Sequence, residues 1–168
     1  MRKRFPFILG ILLLLLGCNA DKKKAYDFNQ KLFEISDTLN KKGTRIGTEV
    51  AMAVNTRDFS KVDRINEELL AFIELKSAEL KKPPNTAGSE KLKAAMIEFL
   101  QFEKDMVSNY FVPLGKMNAA TSDSAIQFAV DQMVEKSKDE GSYLQKVQVA
   151  QKEYARSNGF TVKDTGGE

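Results

Sequence analysis

From residue 25 onward, apolar and polar positions alternate with helical period in four separate stretches. In the first, from about Ala25 to Asn55, the apolar stripe is Phe28, Leu32, Ile35, Leu39, Ile46, Val50 and Ala53. The steps of three, four and seven are those of residues recurring on one helix face, with a heptad-like a/d seam. The second stretch runs from about Phe59 to Lys81, with Val62, Ile65, Leu69, Phe72, Ile73 and Leu80 inward. The third follows Ser89 and carries Leu92, Ala95, Met96, Phe99, Phe102, Met106 and Tyr110. The fourth follows Thr121-Ser122-Asp123 and carries Ile126, Val130, Met133, Leu144, Val147 and Tyr154. Strand signals are few, so the pattern predicts an all-α chain.

The punctuation supports four helices. Asn55-Thr56-Arg57-Asp58 is a short polar connection. Lys81-Lys82 favour a C-terminus, and Pro83-Pro84 stop the helix, because proline lacks the N–H and restricts the residue before it. Ser89 suits an N-cap. Pro113 and Gly115 should end the third helix or bend it sharply, leaving Leu114 to Thr121 as a connection. Ser157-Asn158-Gly159 ends the fourth, and 161–168 reads as a flexible polar tail. Gly43, Gly47 and Gly141 are weak points, since an interior glycine costs about 1 kcal/mol relative to alanine. Gly43 and Gly47 mark a close helix crossing, a kink or a true break; we favour one long helix. Four amphipathic helices joined by short to medium loops fit an up-down-up-down antiparallel four-helix bundle over 25–160.

Residues 1–24 follow a different pattern. Met1-Arg2-Lys3-Arg4 is a positive cluster, and Phe5 to Leu16 is a continuous apolar run. Twelve helical residues cover about 18 Å, short of the roughly 30 Å of a bilayer core. Positive n-region, short h-region and then small residues are the grammar of a signal peptide, which would occupy 1–17. The single cysteine of the chain, Cys18, stands directly behind it. An ordinary free thiol beside a plain signal peptide or an uncleaved anchor is the bland alternative. Exported proteins tend to pair or avoid cysteines, so its position favours modification.

Leu15-Leu16-Gly17-Cys18 resembles the lipobox of bacterial lipoproteins. That resemblance covers the first eighteen or so residues. It implies cleavage before Cys18, a diacylglyceryl group on its thiol and acylation of the new N-terminus. Leu16 departs from the small residue usual two places before the cysteine, whereas Gly17 and Cys18 fit. Asn19, in place of an aspartate, implies transfer to the outer membrane. Residues 18–24 would then be the lipidated cysteine and its tether. Lys22-Lys23-Lys24 could touch anionic head groups, at about 1 kcal/mol per charge near such a surface, or simply be solvated.

Cleavage changes the charge picture. The whole chain has 26 basic and 23 acidic residues, a net charge of +3. Arg2, Lys3 and Arg4 lie in the leader and no acid does, so the remainder is formally neutral. Nucleic acid therefore has no electrostatic claim on it.

Histidine is absent from the sequence. Ser-His-Asp and Cys-His catalysis, Glu-x-x-His di-iron ligands and histidine-containing zinc sites are thereby excluded. Phosphate-cradling glycine motifs are also missing. Among carboxylates, Glu67, Glu68, Glu74, Glu98 and Glu103 could formally supply an acid and a base. Solvated helix glutamates paired with lysines are the simpler account. We expect no catalytic residue, no metal ligand and no cofactor.

The layout as a whole, from lipobox and lysine-rich spacer through a Lys-Pro-Pro loop to the closing Tyr154–Phe160 segment "YARSNGF", resembles the small helical envelope (surface) lipoproteins of several Gram-negative lineages, a mostly uncharacterised group. It implies a membrane partner through lipidated Cys18 and a non-enzymatic interaction or structural module with a protein partner the sequence does not specify. The alternative is a carrier holding a lipid or other apolar ligand in a core lined by Met96, Phe99, Phe102 and Met133.

Overall fold

A computed structural model describes residues 9–83 and 86–162, with side chains from residue 20 onward. The chain is all-α. The described elements are α1 (Leu9–Thr56), α2 (Ser60–Lys81), α3 (Glu90–Met106), a π-helical turn (Val107–Phe111), α4 (Val112–Gly115), α5 (Asp123–Ser137) and α6 (Glu140–Ser157). α3, the π turn and α4 form one continuous rod, and α5 and α6 are two halves of one broken rod. Together with α1 and α2 they make the four helices of a bundle.

The antiparallel order can be read from the ion pairs between neighbours. Lys31 meets Glu79 at 3.0 Å and Arg45 meets Glu68 at 3.6 Å, so α1 and α2 run oppositely. Glu74–Lys104 and Asp63–Lys116, both at 2.8 Å, give the same sense for α2 and the α3–α4 rod. Lys91–Glu153 at 2.5 Å and Glu98–Lys146 at 3.2 Å do so for α3 and α6. Phe28 against Tyr154, ring centroids 6.0 Å apart, closes α6 onto α1.

The core divides into two clusters along the bundle. One contains Leu32, Ile35, Leu39, Leu69, Ile73, Leu92, Met96, Phe99, Val147 and Tyr154. The other contains Ile46, Val50, Ala53, Phe59, Val62, Ile65, Leu114 and Ile126. Phe111 packs against both. Each fully buried aliphatic or aromatic side chain stabilises by about 1.5–3 kcal/mol relative to exposure. The predicted stripes supply most of this core, but Phe59, Leu100, Val107 and Leu114 are buried outside them, and Phe28, Phe72, Ala95, Tyr110, Val130, Met133 and Leu144 are only partly buried.

The favoured reading of one long first helix holds: α1 runs unbroken through Gly43 and Gly47, and a Cβ at either position would meet nothing within 4 Å, so neither marks a close crossing. Three other local expectations need correction. Ser89 does precede α3, yet its hydroxyl donates to the Thr86 carbonyl at 2.8 Å instead of capping the helix. Pro113 does not end the third helix. The π turn before it shifts the hydrogen-bond register, with Val112 N–H reaching back to the Val107 carbonyl. The wider turn accommodates a residue that lacks an N–H, and the rod runs on to Gly115. The fourth helix is interrupted at Lys138-Asp139, just before Gly141, rather than running through.

Residues 20–24, expected as a tether, belong to α1, with Lys23–Asp27 and Lys24–Asp21 pairs along its surface. Among the residues with described side chains, 20 onward, Ala25 is the first that is buried. The n-region, the start of the apolar run and most of the 161–168 tail lie outside the described residues, as does the side chain of Cys18. No helix among the described residues is long and apolar enough to cross a membrane.

Candidate functional site

The five glutamates singled out in the sequence do not converge. Glu68, Glu74 and Glu98 are exposed and paired with Arg45, Lys104 and Lys146 on neighbouring helices. Glu67 is exposed at the surface of α2. Hydrogen bonding from Lys104 holds the Glu74 carboxyl below its usual range, as expected of a carboxylate stabilised in its charged form.

Glu103 is different. It sits half-buried on α3, and burial pushes its carboxyl up to about 8, with the nearby charge of Glu140 adding to the effect. Glu140 opens α6 immediately after the break at Lys138-Asp139 and is itself raised by burial. Among the described residues no lysine or arginine forms an ion pair with either acid. Desolvation disfavours the ionised form, and a second carboxylate nearby disfavours it further. At neutral pH Glu103 therefore carries its proton and can donate a hydrogen bond. Sequence inspection missed Glu140. The acidic residue is visible in the sequence, but the packing of α6 on α3 that brings its charge near Glu103 is not.

Aromatic rings border this junction. Phe102 stacks on Tyr143 with centroids 4.6 Å apart and planes at 21°. Lys136 lies 5.6 Å over the Phe102 ring and pairs with Asp139 at 2.8 Å. Lys146 lies 5.1 Å over Tyr143. The cations thus sit on ring faces, where the ring quadrupole attracts them.

The small side chains of α3 and α6 leave a surface groove of about 470 Å³ between them, lined by Ala94, Ala95, Ser142, Val149 and Ala150 among others. Lys91, Glu98 and Lys146 supply its charged edges. Neither Glu103 nor Glu140 lines this groove. Nor do Met96, Phe99, Phe102 or Met133, the residues expected to line a ligand-holding core. Met96 and Phe99 are buried in one core cluster, and Met133 packs against the other. Among the described residues no group of three or more histidine, cysteine, aspartate or glutamate side chains is placed to hold a metal ion.

In comparison with known proteins, no family model, no curated protein and no solved structure matches the chain.

Proposed function

We propose that this chain is a lipid-anchored, non-enzymatic module of the bacterial cell envelope, in which a helical bundle is held at the membrane, most simply the outer membrane, through Cys18 and presents its surface to a protein partner. The observation that carries this reading is the junction of two sequence patterns: the lipobox-like Leu15-Leu16-Gly17-Cys18 stands seven residues ahead of Ala25, where the buried core begins. Among the residues with described side chains, 20 onward, the buried positions begin at Ala25, beyond the proposed cleavage point. Two or more long acyl chains at that point supply a stable anchor, since each buried CH₂ is worth about 0.8 kcal/mol. The non-enzymatic part is supported by the separation of the one perturbed acid pair, Glu103 and Glu140, from the groove between α3 and α6.

Fractionation and protease shaving of intact cells test the proposal, with Cys18→Ala as control. The mature chain should partition with membranes, and the variant should leave them. Digestion of the domain on intact cells directs the search to external partners; digestion only after the outer membrane is opened directs it to the periplasm. An unchanged membrane association of Cys18→Ala would refute the lipid anchor.

A further inference from the structure

Four chain segments meet at the end of the bundle nearest Cys18: the start of α1, the end of α2, the start of α3 and the end of α6. Their junction is well tied. The Lys93 ammonium donates to the Lys82 carbonyl. Gly159 adopts the left-handed conformation at φ +69°, and the Phe160 N–H returns to the Ala155 carbonyl at 3.0 Å. That C-terminal closure turns the Phe160 ring onto Tyr26 of α1, centroids 5.6 Å apart and edge-on.

This end is basic although the chain without its leader is neutral. Residues 20–30, 77–93 and 150–162 contain nine lysines and arginines against five acids. Residues 31–76 and 94–149 contain thirteen against sixteen. Folding therefore separates charge along the bundle. Lys22, Lys81, Lys82 and Arg156 are exposed, and none forms an ion pair among the described residues. Tyr26, 47% exposed, stands among them.

We infer that this collar, with Lys22, Lys81, Lys82, Arg156 and Tyr26 at its centre, is a docking surface for anionic phospholipid head groups. The inference rests on Cys18 being the anchor, because that places this end toward the bilayer. Lys22 lies four residues, about 6 Å of helical rise, beyond Cys18. The packing of α6 on α1 brings Arg156 near the level of Tyr26, about 12 Å along the same axis. A head-group layer about 5–7 Å deep leaves these charges within a Debye length of about 8–10 Å. Each basic side chain near an anionic surface strengthens binding roughly fivefold.

The test uses the full chain carrying Cys18→Ala, so that no acyl chain contributes. Its binding is compared on phosphatidylcholine vesicles with and without phosphatidylglycerol; the leader's apolar run acts on both, and its Arg2, Lys3 and Arg4 are the same in every variant compared. Anionic vesicles should bind at least about tenfold more tightly, with a loss in high salt. Lys81→Glu/Lys82→Glu/Arg156→Glu should weaken binding to the anionic vesicles at least about tenfold relative to the Cys18→Ala parent. The matched triple Lys42→Glu/Lys61→Glu/Arg64→Glu, placed away from the collar, should retain it, with helical content of both triples checked by circular dichroism. Equal binding to both vesicle types, or equal loss in both triples, would overturn the inference. If the parent chain recovered from membranes carries no lipid on Cys18 while the Cys18→Ala preference holds, the collar stands and the anchor is refuted instead.

Discussion

The side-chain amide of Asn66 donates a hydrogen bond to the main-chain carbonyl of Phe111 at 2.8 Å. Asn66 is buried on α2, and Phe111 closes the π turn that leads into Pro113. One polar side chain thus braces the irregular segment that lets the third helix pass its proline. Directly after it, Gly115 comes so close to α2 that a Cβ there would stand 2.9 Å from the Asp63 Cα.

Asn66→Ala should therefore cost about 1–3 kcal/mol, because the brace is lost at a buried site. Gly115→Ala should cost a similar amount, since the contacting atom is backbone and the two helices must move apart. Chemical denaturation of the purified variants measures both. A loss under about 0.5 kcal/mol for either would place it among ordinary surface substitutions and contradict this account of the junction.

Gly43 and Gly47 should behave in the opposite way. Both lie in the middle of a continuous helix with open space where a side chain would go. Gly43→Ala and Gly47→Ala should each stabilise the fold by about 0.5–1 kcal/mol, through helix propensity and a less flexible unfolded chain. A destabilised double variant would show that α1 needs a bend there.

Glu103 gives the stability a pH dependence of unusual sign. Its carboxyl is raised from 4.5 to about 8 on folding, so the native state binds more protons than the unfolded state between those values. Stability should fall as pH rises through that window and level off above it. Glu140, raised by burial, acts in the same direction. Glu103→Gln should flatten the profile and stabilise the fold at about pH 8 by at least the roughly 1.4 kcal/mol that one pKa unit represents, read as a higher melting temperature. It should change little near pH 4.5. Thermal melts across the range decide this, and a profile that rises toward pH 8 in the parent chain would contradict it.

α5 should open before the rest of the bundle. Ile126 is its one buried residue, and Phe128 is 66% exposed. Its N-terminal end is held by Arg57, whose guanidinium pairs with Asp123 and donates to the Thr121 carbonyl at 3.2 Å. Amides of residues 127–137 should exchange earlier than those of α2 and α3, and Arg57→Ala should accelerate that exchange selectively. Uniform protection across α2, α3 and α5 would contradict the expectation.

The bundle was legible in the sequence because its core uses regular helical spacing. Leu32, Ile35 and Leu39 in α1, and Leu92, Met96 and Phe99 in α3, declare an inner face without help from the tertiary structure. The π turn was not legible, because its support, Asn66, lies 45 residues away. Pro113 read alone says that a helix should stop. The proximity of Glu103 and Glu140 was hidden for a similar reason: it depends on how α6 packs against α3. The basic collar was hidden too, since its cations come from separate segments that become neighbours only when the helices alternate in direction. The proposal for Cys18 rests on a local sequence pattern alone, and the side chain of Cys18 lies outside the described residues.

The measurement that bears most directly on the central proposal is intact mass spectrometry of the mature protein recovered from bacterial membranes. A chain that begins at Cys18 and carries the added mass of a diacylglyceryl group and an N-acyl chain is the predicted result. A chain that retains residues 1–17, or one that begins elsewhere with an unmodified thiol, would contradict it.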